Sequence, residues 1–374
     1  MNSNNQTLPF ELSIRPLDGQ GKTERVLCRG LLRQLANNRE VYVASWGERD
    51  VIVKVFYKRV TGRYRVRKEW NGFNLLRNRG INAPQPLFYG RTEEGNWAIV
   101  TERIANSHTL DEIFNKAVRK EKIEIIKMFC TELARQHEKG VVQKDLHLGN
   151  FLQDGEKLVV LDPAQMRFSN HPVEKGESIS QLALITSNIA GTEGVKEIWE
   201  EYFNHRGWQL EEPDERLLEA KTAMYKRKGL KRGLKKTLRT SKRFVRTSKD
   251  ENLGVFDREF IAGIEPIGFM KHIDELMEAG EIIKREDAIY ASSFTYNGKK
   301  VVVERYGRRG FMDLLCQTIT GSWAKKFWLL GHRSRQLGQR APKPLAYIER
   351  RKKLLIWKSY FINEQLDIMK RRTF

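Results

Sequence analysis

The chain has 374 residues, 40% hydrophobic and 31% charged, enough for two or three domains with real cores. It holds no run of about 18 apolar residues, which argues against a membrane-spanning helix. Its N-terminus lacks the basic, apolar and small-residue succession of a secretion signal, so the expectation is a cytosolic protein.

The net charge of +21 is uneven: residues 1–220 carry 32 Lys+Arg against 31 Asp+Glu, whereas residues 221–374 carry 36 against 16. A field of that sign gathers anionic partners without naming one. Cys28, Cys130 and Cys316 lie far apart, show no metal-ligand spacing and read as reduced thiols.

From residue 25 onward, VLCRGLLRQL, VYVAS and DVIVKVFY read as three β-strands, the last two joined by the turn WGER. RYRVRKEWNGFNLLRNRG follows as a helix, with Val66, Trp70, Phe73 and Leu76 at helical spacing and Gly80 at its stop. APQPLFYG and NWAIVTERI supply two more strands, and an antiparallel sheet with one helix after its third strand is the layout of a kinase N-lobe. Next, EKIEIIKMFCTELARQHEKG is an amphipathic helix with Ile123, Ile126, Phe129, Leu133 and His137 on one side. Directly after it come VVQKDLHLGN and LVVLDP.

These segments hold a constellation. Lys54 sits mid-strand in VIVKVFY, Glu69 fifteen residues later on the lobe's helix, Asp145 and Asn150 in QKDLHLGN, and Asp162 at the end of LVVLDP. Lys54 and Asp162 each have an ordinary reading alone, a snorkelling lysine and an Asp-Pro turn. In this order and near this spacing the five match the kinase set, in which a lysine paired with a glutamate contacts phosphate, an aspartate takes the proton of the attacking hydroxyl, and asparagine and aspartate hold magnesium. Those types suit the task, because magnesium prefers oxygen ligands and needs no dedicated protein cage beside phosphate. Gly30 and Glu102 are further candidate nucleotide contacts.

The departures narrow the class. No G-x-G-x-x-G lies between the first two strands, only RGLLRQLANNRE, which leaves phosphate cover to other backbone amides or to Arg33 and Arg39. Gln143-Lys144 stands where His-Arg usually precedes the catalytic aspartate, Pro-Ala follows Asp162 in place of Phe-Gly, and no A-P-E segment occurs. A kinase of small molecules or glycans fits this pattern better than a regulated protein kinase.

VIVKVFY, EWNGFNLLRNRGINAPQPLFYG, QKDLHLGNFL and LVVLDPAQMRF, followed by a basic segment ending RTSKRF, resemble the lipopolysaccharide kinase family, which includes Kdo kinases and core heptose kinases. The likeness covers roughly residues 25–250. It implies an α+β, bilobal protein-kinase-like fold and a cytoplasmic enzyme, peripheral at the inner membrane, that moves the γ-phosphate of ATP to a sugar hydroxyl of the lipid A–core molecule. By position, Lys54 takes the family's phosphate contact, Glu69 its pairing role, Asp145 the base, and Asn150 and Asp162 the Mg2+ ligands. The N-lobe is expected over residues 1–104 and the mainly helical C-lobe over 105–250.

Residues 226–249, KRKGLKRGLKKTLRTSKRFVRTSK, carry twelve Lys/Arg and no acid. At about 100° per residue, Leu230, Leu234 and Leu238 share one face and Lys228, Lys231, Arg232, Lys235, Lys236, Arg239, Lys242, Arg243 and Arg246 another, which predicts a basic amphipathic helix over the segment. A solvated surface helix and a nucleic-acid arm compete with a helix lying on anionic lipid; nine cations on one face favour the last, with Lys231, Arg232, Lys235, Lys236, Arg239, Lys242 and Arg243 expected to meet lipid A phosphates and an anionic membrane surface. No nucleic-acid motif accompanies the run, so no specific nucleic acid is expected.

The tail repeats the first lobe. DAIYASSFTYNGKKVVVERYG follows the order of VYVASWGERDVIVKVFYK, and KKFWLLGHRSRQLGQRAPKPLAYI that of NGFNLLRNRGINAPQPLFYG; LLIWKSYFINEQLDIM matches WAIVTERIANSHTLDEIF. Residues 251–374 therefore read as a degenerate N-lobe-like unit, with Glu304 opposite Lys54 and no catalytic role, exposing a face suited to a protein partner or self-association. The competing functional readings are a kinase of this fold acting on a small molecule or protein, and a non-catalytic pseudokinase scaffold.

Overall fold

FELSIRP alternates apolar and polar residues with a period of two and ends on proline, and in the computed structural model it forms a strand, β1 (Phe10–Pro16), with Ile14 fully buried. The sequence reading began the sheet one strand too late. The structure describes residues 7–17, 22–35, 38–57, 59–105, 107–188, 194–307 and 310–365, and the chain divides into two compact units, Met1–Ala223 and Met224–Phe374.

In the first unit β1 is followed by β2 (Glu24–Leu35), β3 (Arg39–Trp46), β4 (Arg49–Phe56), α1 (Arg59–Asn78), β5 (Pro86–Thr92) and β6 (Trp97–Glu102). The strands close into a barrel in the order β1-β2-β3-β4-β6-β5. Closure depends on Gly90: a Cβ there would lie 2.1 Å from the Arg15 carbonyl oxygen, so only glycine lets β1 and β5 meet. Val26, Tyr42, Val51, Val53, Phe88 and Val100 fill the interior.

The rest of the unit is β7 (His108–Thr109), α2 (Leu110–Lys116), α3 (Arg119–Glu138), β8 (Val141–Gln143), β9 (Phe151–Asp154), β10 (Lys157–Val160), β11 (Met166–Phe168), α4 (Lys175–Thr186) and α5 (Val195–His205). Ile126, Phe129, Leu133 and His137 of α3 are all buried, as their spacing requires. Thr109 and Glu112 form a reciprocal capping box that starts α2.

α6 (Glu212–Lys236) corrects the predicted basic helix. It begins earlier than expected and stops at Lys236, and residues 244–249 form a strand, β12 (Phe244–Lys249), that pairs with β13 (Asn252–Asp257). Helical periodicity is a local signal, whereas the pairing of Phe244 with Asp257 is long-range, and the Val- and Thr-containing run FVRTSK suits a strand. Lys231, Arg232, Lys235 and Lys236 are therefore on the helix, Arg239, Lys242 and Arg243 in the turn beyond it, and Arg246 on β12. Leu238 packs against Trp328 and its neighbours instead of extending a helical stripe.

The second unit continues with α7 (Pro266–Ala279), β14 (Glu281–Glu286), β15 (Ile289–Tyr296), β16 (Lys299–Tyr306), α8 (Phe311–Thr320), α9 (Trp323–Gln336), β17 (Pro344–Lys352) and β18 (Leu355–Glu364). Its sheet runs β12-β13-β17-β18-β16-β15-β14, and the part β14-β15-β16-β18-β17 has the same order as β2-β3-β4-β6-β5 of the first unit. In both, the helical insertion follows the third of these strands, α1 after β4 and α8 and α9 after β16. Glu304 on β16 accepts a hydrogen bond from the Tyr306 hydroxyl. The Leu366-Asp367 pair of the repeat lies outside the described residues.

Candidate active site

Strand alternation on β4 turns Val51, Val53 and Val55 into the barrel, and Lys54 therefore faces the other way. Its Nζ lies 2.6 Å from Oε2 of Glu69 on α1, in an ion pair whose side chains are only 14% and 2% exposed. Burial pushes the Glu69 carboxyl up from its ordinary range, and Lys54 opposes that shift. Arg39 at the start of β3 brings a second cation to 4.0 Å from Glu69, and its Nε is buried without a hydrogen-bond partner.

Gly72 shares a helix face with Glu69 and packs on the residue after Asp162. A Cβ at position 72 would come within 2.7 Å of the Pro163 side chain, so the absence of one lets α1 seat on the Asp162-Pro163 turn. The Asp162 charge accordingly adds to the upward shift at Glu69. Asp162 Oδ1 is itself buried with no hydrogen-bond partner. A carboxylate oxygen left so is costly unless a cation or donor meets it.

The loop between β8 and β9 is fixed from both sides. The Lys144 amide donates to Gln165 O at 2.8 Å, and the Leu161 amide donates to Asn150 O at 2.9 Å. Asn150 spends the donor end of its amide on the Asp145 carbonyl oxygen, at 2.9 Å, which leaves the oxygen end as the one suited to a cation. The Asp145 side chain is 70% exposed, with His147 Nε2 3.7 Å from Oδ2. Lys54 and Glu69 thus meet directly, Asp162 lies within electrostatic reach of Glu69, and Asn150 ties Asp145 to the strand leading into Asp162.

The other candidates are less integrated. Gly30 lies in β2 beside a bulge with open space where a side chain would project. Glu102 ends β6 exposed, its amide donating to Gln85 O at 2.9 Å. No hydrogen bond or ion pair joins either to the five residues above, among the described residues. Of the seven cations proposed for anionic lipid, Lys236, Arg239, Lys242 and Arg243 line one cavity, and Lys231, Arg232 and Lys235 do not. Among the described residues no group of three or more His, Cys, Asp or Glu could hold a metal ion.

Sequence reading missed the buried amide chain beneath the loop. Gln143 Nε2 donates to Gln136 at 2.8 Å, Gln136 to Glu132 at 2.9 Å, and Gln181 to the Gln143 carbonyl at 2.6 Å, with His137 bonded to Gln181 and Tyr202. Glutamines have no sequence mark of burial. Arg79, also missed, donates to Lys139 O at 2.7 Å and Ser169 O at 2.8 Å.

Burial lowers the His137 pKa to about 4, so the folded chain holds a neutral ring while the unfolded chain protonates near 6.5. The stabilisation is complete above that unfolded value and is lost as pH falls toward about 4. Denaturant unfolding at pH 7 and pH 5 is expected to show a loss on the order of 2 kcal/mol from this residue. His137→Gln should flatten the slope; an equally steep slope in the variant would assign it elsewhere.

Residues 20–201 match the model of the lipopolysaccharide kinase (Kdo/WaaP) family. No curated protein matches the chain. Among solved structures, WaaP in complex with acyl carrier protein has a TM-score of 0.40 at 20% identity, covering 55% of this chain and 89% of that one. The kinase domain of Mycobacterium tuberculosis PknI has a TM-score of 0.32 at 15% identity, covering 44% and 72%.

Proposed function

On the premise that residues 20–201 are a domain of the lipopolysaccharide kinase (Kdo/WaaP) family, we propose that the protein phosphorylates a Kdo or heptose hydroxyl of the lipopolysaccharide inner core, with ATP as donor. The observation that carries this reading is the buried Lys54–Glu69 pair at 2.6 Å beside the unpartnered Asp162 Oδ1. Lys54, held by Glu69, contacts the nucleotide phosphates, and Arg39 adds positive charge where a glycine loop is missing. Asp145 accepts the proton of the sugar hydroxyl as its oxygen bonds to the γ-phosphorus, the bond to the bridging β–γ oxygen breaks, and ADP leaves.

The donor set fits magnesium: Asp162 offers an orphaned carboxylate oxygen and Asn150 an amide oxygen, and this ion is ordinarily held by one or two protein ligands beside phosphate. When bound there, Mg2+ would neutralise charge on the phosphate oxygens. Exposed cations on α6 and after it support peripheral attachment at the cytoplasmic face of the inner membrane. No helix among the described residues is long and apolar enough to cross a membrane. Attachment of this kind needs anionic lipid and weakens with salt, which vesicle sedimentation reads directly.

Mass spectrometry of lipopolysaccharide from cells with and without the gene tests the reaction. The expected result is the loss of one core phosphate without it. An unchanged phosphate count would remove the proposal.

A further inference from the structure

We propose that the second unit carries a binding site for a phosphate monoester, borne by a soluble sugar or by a lipid headgroup, built from the end of α6, the turn 237–243 and the end of α9. This goes beyond the kinase reading and does not depend on it. The site is a cavity of about 790 Å³. That exceeds a bare phosphate and falls within the roughly 300–1,000 Å³ of small-molecule pockets, room for the sugar as well.

Its wall carries Lys236, Arg239, Lys242, Arg243 and Arg335 and no carboxylate. Only Arg243 among them has an acidic partner, Asp257 at 3.1 Å, among the described residues. Part of this charge has an ordinary structural use, since Lys236 and Arg335 complement the carbonyl ends of α6 and α9. Arg239, Lys242 and Arg243 lie beyond α6 and before β12, so helix ends do not account for them. Cations gathered round one cavity repel each other, and an anion between them removes that cost.

His332 supplies the second, independent observation. It lines the cavity, is 4% exposed, and its Nε2 has no hydrogen-bond partner. The ring is held edge-on by Trp328, at a centroid distance of 4.2 Å, and by Phe244 at 5.2 Å. Burial and the neighbouring Arg243 and Arg335 charges keep its pKa low, at about 3, so it stays neutral and offers one N–H. A buried ring nitrogen without a partner, ringed by cations, suits a phosphate oxygen when it carries the ring's single N–H.

The frame is also fixed in place. The Trp328 indole donates to Thr237 O at 3.1 Å and Oγ1 at 3.2 Å, which anchors the end of α6 to α9. A Cβ at Gly233 would come within 2.8 Å of the Gln336 amide, so the two helices are in close contact where the cavity begins.

Calorimetric titration of the full chain with glucose 1-phosphate, free of nucleotide, tests the site, together with 15N spectra of its histidines. Saturable binding that shifts the His332 resonance is expected, and Arg239→Ala/Lys242→Ala, both surface positions, should weaken it by about tenfold or more without changing thermal unfolding. Glucose without phosphate should not bind. Competition by vesicles containing phosphatidic acid would identify the ligand as a lipid headgroup, and its absence a soluble sugar phosphate; either supports the site. Unsaturable binding, an unchanged double variant, or equal competition by phosphatidylglycerol vesicles, which lack a monoester, would overturn it.

Discussion

Asparagine in place of Asp145 is expected to lower the rate of phosphoryl transfer by roughly 10²–10⁴-fold, the range for a lost general base, and to leave ATP affinity unchanged. The substitution keeps the shape of the side chain and removes its ability to take a proton at neutral pH. It also spares the loop, because Asn150 bonds to the backbone oxygen of residue 145, at 2.9 Å, and not to its carboxylate. Nor does it touch the Lys54–Glu69 pair or Asp162, to which nucleotide contact is assigned. Single-turnover transfer and ATP titration on the same preparation separate the two effects. A rate near that of the wild type would take the base role away from Asp145, whereas a parallel loss of ATP binding would mean that the loop had collapsed.

Trp328→Ala should destabilise the second unit by about 3–5 kcal/mol, the usual cost of emptying a buried large aromatic site. The ring is fully buried against Phe244, His332 and Tyr347. Its N–H is also the partner of both Thr237 oxygens, so truncation leaves a cavity and removes the tie between α6 and α9. Trp328→Phe keeps most of the apolar contact and loses only the donor, and should cost about 1–3 kcal/mol. Denaturant unfolding of both variants checks the order; equal losses would mean that packing contributes little beyond the hydrogen bond.

The placement of the candidate set was legible because kinase chemistry would fix its residue types and the scaffold fixes its spacing. Asn150 and Asp162 lie on either side of the β9–β10 hairpin, where Phe151 pairs with Val160, so their separation in sequence reflects one tight turn. Lys54 and Glu69 are likewise joined by a single strand-to-helix connection. β1 was missed although its alternation was visible, because one of its partners, β5, is far along the chain and leaves no trace near residue 10. The basic run was read as one helix for a related reason. Local periodicity favours helix through Leu238, while the sheet claims Phe244–Lys249 by pairing with β13. The amide chain under the loop and the His332 cavity were hidden because glutamine and histidine look alike in sequence whether buried or exposed, and their partners come from distant segments.

Titration of ATP into the full chain, in magnesium and in EDTA, with wild type and Asp162→Ala side by side, tests the proposed nucleotide site most directly. The expected result is tighter binding with magnesium in the wild type and no such gain in Asp162→Ala. An equal gain in both proteins, or no ATP binding by the wild type at all, would contradict the site proposed for Lys54, Glu69, Asn150 and Asp162.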